Sequence, residues 1–307
     1  MVDKLRILFL GTTNELSRSA LATLLSGGVT VDAVIVTATA ARTTGNIPLE
    51  ELRPAASASE LPLVNRYHRP SLIEQAWSSS VLVLALGNDG YSALRRLIEG
   101  IQPDAVCVAC FPRRIPETLL RLPRFGFLNV HPSLLPHYRG PAPLFWLFQR
   151  NDLEHRGVTV HQMDEDLDTG PIVTQKPLAL ANGQSQAMIE SQCGRLGGHL
   201  LLDGLSSLSK GGAAGVQTGA GSHYPWPSAG DFRISTGWSA QHAFNFMRAT
   251  DGFSMGYQVS LPDKELYLTE ALHVDPEGEI GALVYGEDTI VRLRFSPGIL
   301  TARVGAS

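Results

Sequence analysis

Residues 127–143, FLNVHPSLLPHYRGPAP, decide how the chain folds and where its chemistry sits. An apolar run carries two polar residues, Asn129 and His131, and then opens into a loop rich in Pro and Gly. Alternate residues of a strand share a face, so both side chains leave the strand end on one side. Downstream, residues 160–171, VHQMDEDLDTGP, end a second apolar run in Asp164, Glu165, Asp166 and Asp168 beside Gly170. Such a loop can fold a carboxylate back over the first site.

These residue types suit a reaction that builds a negative oxygen and moves a proton. An Asn amide donates to a developing oxyanion, His donates to that oxygen or moves a proton near neutral pH, and Asp tunes the His or relays the proton through water. Ser133 has no G-x-S-x-G elbow around it, and the prolines flanking Ser-Leu-Leu describe a rigid loop shaped for a ligand. The residues therefore imply direct transfer of an acyl-like group to an external nucleophile.

Residues 5–10 form an apolar run ending in Gly11-Thr-Thr-Asn14, and an amphipathic stretch follows to Leu25. This strand, turn and helix open an α/β fold. The single Gly11 is no G-x-G-x-x-G, which argues against a dinucleotide cradle. Further strands are predicted over 29–36, 61–64, 81–86 and 104–111, with helical pieces at 71–77 and 91–99 between them. The spacing predicts a doubly wound, mostly parallel sheet with its ligand beyond the carboxyl ends of the strands.

Cys107 and Cys110 form a C-x-x-C inside an apolar strand pattern with no second cysteine pair, and are read as buried structural thiols. His161, on the strand leading to Asp168, is read as a structural histidine. A periodic helix is expected over 188–210, and residues 211–221, rich in Gly and Ala, have the composition of a flexible linker.

The chain has 307 residues, 44% of them hydrophobic, enough for two domains with proper cores. Its 25 basic and 29 acidic side chains give a net charge of −4, no overall attraction for nucleic acid or membrane. No apolar run approaches the roughly 20 residues that span a bilayer, and the stretch near the start is too short for a signal peptide. A cytoplasmic protein with no membrane partner is expected, and three cysteines fit a reducing compartment.

Asn129-Val-His131-Pro-Ser133-Leu-Leu-Pro136, followed by Asp164-Glu-Asp-Leu-Asp168-Thr-Gly170, resembles the signature of the folate-dependent formyltransferases, which move a formyl group from 10-formyltetrahydrofolate to an amine. Arg139-Gly140-x-x-Pro143 and the length of the chain are similar to the branch that holds methionyl-tRNA formyltransferase and its sugar-modifying relatives. The resemblance runs from Leu5 to about Gly212.

It implies a Rossmann-like catalytic domain over residues 1–210, a linker over 211–230 and an OB-like β-barrel over 231–307. It implies that Asn129, His131 and Asp168 are catalytic. By the same resemblance, Phe111, Pro112, Arg113, Arg114, Ile115, Ser133, Asp164, Glu165, Asp166 and Leu167 meet the folate co-substrate. Leu134, Leu135, Pro136, Arg139 and Gly140 meet the acceptor, and no metal is expected. Asp231-Phe-Arg233-Ile is similar to the family's crossing segment, but Ser235-Thr236 stand where the family usually has Asp-Trp.

The resemblance implies methionyl-tRNA as acceptor, yet tRNA needs clustered Lys and Arg. Residues 40–59 hold only Arg42 and Arg53, and residues 231–307 hold six basic against ten acidic side chains. A small amine, such as an amino sugar or a siderophore or peptide precursor, is the second reading. A formyl-folate hydrolase and a non-catalytic binding paralogue are the others.

Overall fold

The computed structural model describes residues 4–44, 46–54, 69–261, 264–281, 284–285 and 289–305. The strand expected over 61–64 lies outside them. Two compact units interleave along the chain: residues 1–136, 157–177 and 190–220 form one, and residues 137–156, 178–189 and 221–307 the other.

In chain order the elements are β1 (Arg6–Leu10), α1 (Glu15–Ser26), β2 (Thr30–Thr37), α2 (Ala38–Ala41), β3 (Leu49–Glu51), α3 (Leu72–Ser78), β4 (Leu82–Leu86) and α4 (Tyr91–Ile101). Then come β5 (Ala105–Ala109), α5 (Glu117–Leu120), β6 (Phe127–His131), α6 (Pro143–Gln149), β7 (Gly157–Gln162), β8 (Ile172–Pro177) and α7 (Gln186–Ser209). The chain ends with β9 (Arg233–Ile234), α8 (Ala240–Ala249), β10 (Tyr257–Ser260), β11 (Glu265–Asp275), β12 (Val284–Tyr285), β13 (Ile290–Arg294) and β14 (Ile299–Val304).

The first unit is built on a sheet in the order β3-β4-β2-β1-β5-β6-β7-β8. From β4 to β6 the pairs are parallel, whereas β3 runs antiparallel to β4, β7 to β6 and β8 to β7. Ile7 to Leu10 and Ala105 to Ala109 are buried on both faces, the pattern of strands covered by helices above and below. Strand order reverses at β1 and β5, the crevice where such sheets bind ligands.

Local chemistry fixes the turns at that crevice. The Asn14 side chain accepts from the Ser17 amide at 2.9 Å and caps α1, worth about 1 kcal/mol. The Ser17 hydroxyl donates to the Ala109 carbonyl at 2.7 Å and ties the start of α1 to the end of β5. On α7, a Cβ at Gly197 would stand 2.3 Å from a methyl of Val130, so only glycine lets this helix back the strand that carries Asn129 and His131. The buried thiols of Cys107 and Cys193 are pushed up to about 12 by burial, which keeps them unreactive.

The second unit packs α6 and α8 with a sheet in the order β12-β13-β14-β11-β10-β9. Its core is aromatic: Phe145, Phe232, Phe246 and Tyr257 lie with ring centroids 4.9–6.5 Å apart. The Tyr257 hydroxyl is satisfied by Thr250 Oγ1 at 2.7 Å and by the Met247 carbonyl at 3.1 Å. Among the described residues β12 and β9 are edges of an open sheet, so the expected OB-like closure is not seen. A short β9 pairs in parallel with β10 and hands no ladder back to β12.

The expected linker also differs. Residues 211–220 belong to the first unit because Gly215 exchanges both backbone hydrogen bonds with Ile172, at 2.7 and 2.8 Å, and extends the β8 edge. A Gly- and Ala-rich composition signals freedom only where no ladder captures the backbone.

Candidate active site

Asn129 and His131 close β6, two residues apart and on one face, as the alternation requires. Residue 129 pairs with His161 across the antiparallel β6–β7 ladder, so the two side chains stand directly opposite. Residues 163–171 then turn from β7 back into β8. Asp168 sits in this turn in the left-handed region, at φ 59°, an uncommon conformation for a residue other than glycine.

Three contacts hold the turn there. Gln217 Nε2 donates to the carbonyls of Asp168 and Gly170, both at 2.8 Å. Thr169 Oγ1 donates to Asp164 Oδ1 at 2.8 Å. Gly170 passes so near the Gln162 carbonyl that a Cβ would lie 1.8 Å from the oxygen, which explains the Gly in Asp-Thr-Gly.

The result is one carboxylate oxygen with three nitrogens around it. Asp168 Oδ1 is 3.5 Å from Asn129 Nδ2, 3.5 Å from His131 Nδ1 and 3.5 Å from His161 Nε2. His131, His161 and Asp168 are only 3%, 1% and 5% exposed, so water competes weakly for these contacts. At 3.5 Å the contacts from Asn129 and His131 are loose, as catalytic hydrogen bonds often are before a ligand arrives. His161 Nε2 neighbours the carboxylate without donating to it. Asn129 Nδ2 makes its shorter contact, 3.2 Å, with His161 Nε2. Its other amide hydrogen faces Asp168 Oδ1 across 3.5 Å, a contact loose enough to yield to a ligand oxygen. Asn129, His131 and Asp168 can thus present donors to a developing oxyanion and a carboxylate that steadies an imidazolium.

The segment after β5 is tied to two neighbouring loops. Arg113 donates to the carbonyls of Gly87 and Asn88, each at 2.6 Å, and lies 4.5 Å over the Tyr91 ring. Arg114 donates to the Glu165 carbonyl, and its own carbonyl accepts from the Tyr91 hydroxyl at 2.6 Å. The guanidinium of Arg113 is therefore spent on holding the loop at residues 87–88. Phe111 is half-buried against the sheet core, Pro112 is exposed, and Asp164, Glu165, Asp166 and the 52% exposed Leu167 rim the other wall.

Other expected contact residues are placed differently. Ile115, Ser133 and Leu135 are 3%, 0% and 3% exposed, so their side chains offer a ligand almost no surface. Thr159 Oγ1 instead donates to the Ser133 carbonyl at 2.7 Å and accepts from the Leu135 amide at 3.1 Å, which sets the path of the loop. The Leu134 side chain lies over Gly157, and the half-buried Pro136 follows a cis peptide bond. Arg139 and Gly140 lie in the second unit, where the Arg139 backbone bonds to Ser222 and Tyr224 at 2.9 Å each.

From the sequence His161 is read as a structural histidine, and Gln217 falls within the expected linker. The face-sharing of His161 with Asn129 depends on strand register, which no local pattern records, and Gln217 lies in a segment whose composition reads as linker. Among the described residues, no group of three or more His, Cys, Asp or Glu side chains is placed to hold a metal ion. No helix among them is long and apolar enough to cross a membrane.

The sheet thus presents an Asn and a His at the end of β6 and an Asp on the turn that returns beside them. Residues 5–205, well over half of the chain, match the Formyl transferase family, and the chain belongs to that family. It is 33% identical over 212 residues to the methionyl-tRNA formyltransferase of Bordetella pertussis, across 68% of this chain and 63% of that protein. The chain thus spans less than two thirds of the length of the curated relatives it matches.

Solved structures share the fold. An N-formyltransferase from Helicobacter canadensis, in complex with folinic acid and dTDP-3-aminofucose, superposes with a TM-score of 0.62 at 15% identity over 98% of this chain and 99% of that one. HypX from Aquifex aeolicus, in complex with tetrahydrofolic acid, gives 0.62 at 17% identity over 98% of this chain and 44% of that one.

Proposed function

We propose that the protein transfers a formyl group from a 10-formyltetrahydrofolate co-substrate to a primary amine. The observation that carries this reading is the convergence of Asn129, His131 and Asp168 within 3.5 Å contacts of one buried carboxylate oxygen. The residues present fit the co-substrate. The amide–imidazole–carboxylate set matches a carbonyl that gains negative charge, and the 111–115 and 164–168 segments flank it.

Bound there, the folate supplies an activated one-carbon acyl group. Asn129 and His131 donate to its oxygen as charge develops. Asp168 holds His131 in its charged form and moves the amine proton toward the departing nitrogen, directly or through one water. Burial of His131 and Asp168, with Asn129 half-buried, keeps the local dielectric low and makes each donor count for more than it does in water.

Methionyl-tRNA is the first acceptor to test, supported by the relatives at about one third identity. A small amine is favoured by a separate observation, the six basic against ten acidic side chains in residues 231–307. Formylation of methionyl-tRNA and of a nucleotide-linked amino sugar, each assayed between 50 and 300 mM salt, separates them; only tRNA-dependent activity falls steeply. Asp168→Ala or Asn129→Ala turning over like the parent would refute the assignment, since losing one such group costs on the order of 10²-fold.

A further inference from the structure

Four exposed residues, Asp164 to Leu167, lead into Asp168, which is buried and left-handed. A residue in that conformation persists only where its surroundings over-determine it. Downstream, Gln217 holds the carbonyls of Asp168 and Gly170, and the Thr169 hydroxyl is tied to the Asp164 side chain. None of these contacts fixes the backbone between residues 164 and 167.

Arg114 does. Its Nη2 donates to the Glu165 carbonyl, from 51 residues away in sequence. A bond to a main-chain oxygen fixes the backbone itself, as a pairing with the Glu165 carboxylate would not, and a cationic donor makes that bond stronger than a neutral one.

An exposed arginine gives up much rotamer freedom in such a contact, so it holds a carbonyl well only from a rigid base. Here the base is built. The Arg114 carbonyl accepts from the Tyr91 hydroxyl at 2.6 Å, and the Arg113 guanidinium lies 4.5 Å over the Tyr91 ring. Arg113 then donates to the carbonyls of Gly87 and Asn88, each at 2.6 Å, just ahead of α4. Tyr91 opens α4, whose Leu94 and Ile98 are buried in the sheet core. At Gly90 a Cβ would stand 2.2 Å from the Pro48 carbonyl oxygen, so this loop is packed against its neighbour without slack.

We propose that Arg114 is a positioning residue for Asp168: a strap from the segment after β5 to the turn after β7, anchored through Tyr91. The strap joins loops from the two strands that flank β6, the strand bearing Asn129 and His131. Its effect on turnover rests on the formyl-transfer reading; the strap itself is measured without it.

The test compares the full chain with Arg114→Ala, Arg114→Lys and Tyr91→Phe by amide hydrogen exchange, tetrahydrofolate binding and steady-state formyl transfer. Arg114 is exposed, so its replacement leaves the core untouched. In Arg114→Ala, exchange over residues 164–168 should accelerate about fivefold or more. Its kcat should fall roughly five- to twentyfold while the Kd for tetrahydrofolate changes by less than about threefold. Arg114→Lys keeps one donor and should recover part of both effects. Tyr91→Phe keeps the ring beneath Arg113 and loses only the hydroxyl, and should move exchange and kcat in the same direction by a smaller factor. Arg121→Gln, which removes an exposed arginine paired with Glu117 on α5, should change neither.

Unchanged exchange over 164–168 in Arg114→Ala overturns the strap, and faster exchange with unchanged kcat overturns the positioning role. Loss of tetrahydrofolate affinity in step with kcat also overturns it, by making Arg114 a binding residue. A parent protein that formylates neither methionyl-tRNA nor an amino sugar refutes the function proposed above, and the exchange comparison then still decides for or against the strap.

Discussion

Asn129 Nδ2 lies 3.2 Å from Nε2 of His161, and the two residues face each other across neighbouring strands. His161 Nδ1 is 3.0 Å from the Gln162 carbonyl, which can only accept, so Nδ1 carries the proton and Nε2 is the bare acceptor. One amide hydrogen of Asn129 is thereby fixed and the orientation of the amide with it. His161 acts on the site as a positioning residue.

His161→Phe keeps the ring volume and removes the acceptor. Turnover should fall about 10- to 100-fold through misplacement of Asn129, with the KM for folate nearly unchanged. A steady-state comparison with His161→Asn, which restores a polar partner and should recover part of kcat, checks it. Equal kcat in all three proteins would remove His161 from the account.

Gln217→Ala deletes two hydrogen bonds to the turn that carries Asp168. Two such bonds are worth about 1–3 kcal/mol together, enough to free a turn that already holds a left-handed aspartate. Amide hydrogen exchange over residues 164–170 should accelerate at least tenfold, and kcat should drop several-fold. Unchanged exchange there means the turn is held by other contacts.

Acid sensitivity of the second unit should trace partly to Asp152. Burial pushes its carboxyl up, but hydrogen bonds from Tyr138 and His155 outweigh burial and hold it at about 2. A carboxyl lowered in the fold stabilises above its unfolded value, near 4, and that contribution is lost as pH falls toward 2. With solvent screening the effect is about 1 kcal/mol. Denaturation midpoints of the wild type should therefore fall more steeply than those of Asp152→Asn between pH 4 and 2.

A second pH effect comes from His242, which stacks on Trp238 at 3.9 Å. Burial lowers its pKa, and hydrogen bonds to the Phe148 and Gln149 carbonyls, at 3.0 and 3.1 Å, only partly oppose this. The unfolded chain takes the proton near pH 6.5 and the folded chain resists, so stability declines as pH drops below that value. His242→Gln, which keeps a donor without the titration, should flatten the stability curve between pH 6.5 and 5. Parallel curves for the two proteins would assign the slope to other groups.

Much of the first unit is legible in the sequence because its strands are short apolar runs and its site breaks one of them. Asn129 and His131 interrupt FLNVH at alternate positions, and alternation alone puts both on one face. Ile115 and Leu135 were less legible: adjacency to a binding segment does not say whether a side chain points to ligand or core. Ser133 is a similar case, enclosed by the loop that Thr159 pins. The second unit was read as a closed barrel from alternation in β10, β11, β13 and β14, which indicates strands and says nothing about whether the first and last of them meet.

By itself the sequence determined the parallel strands from β4 to β6, the polar pair at the end of β6, and the acidic turn with its obligatory Gly170, since each follows from local periodicity or backbone sterics. The tertiary structure alone decided that β7 runs back antiparallel, that its register sets His161 opposite Asn129, and that Gln217 reaches the Asp168 turn from 49 residues away. The physical reason is that a strand's period of two fixes which face a side chain takes. It leaves open which strand, in which register, will stand beside it.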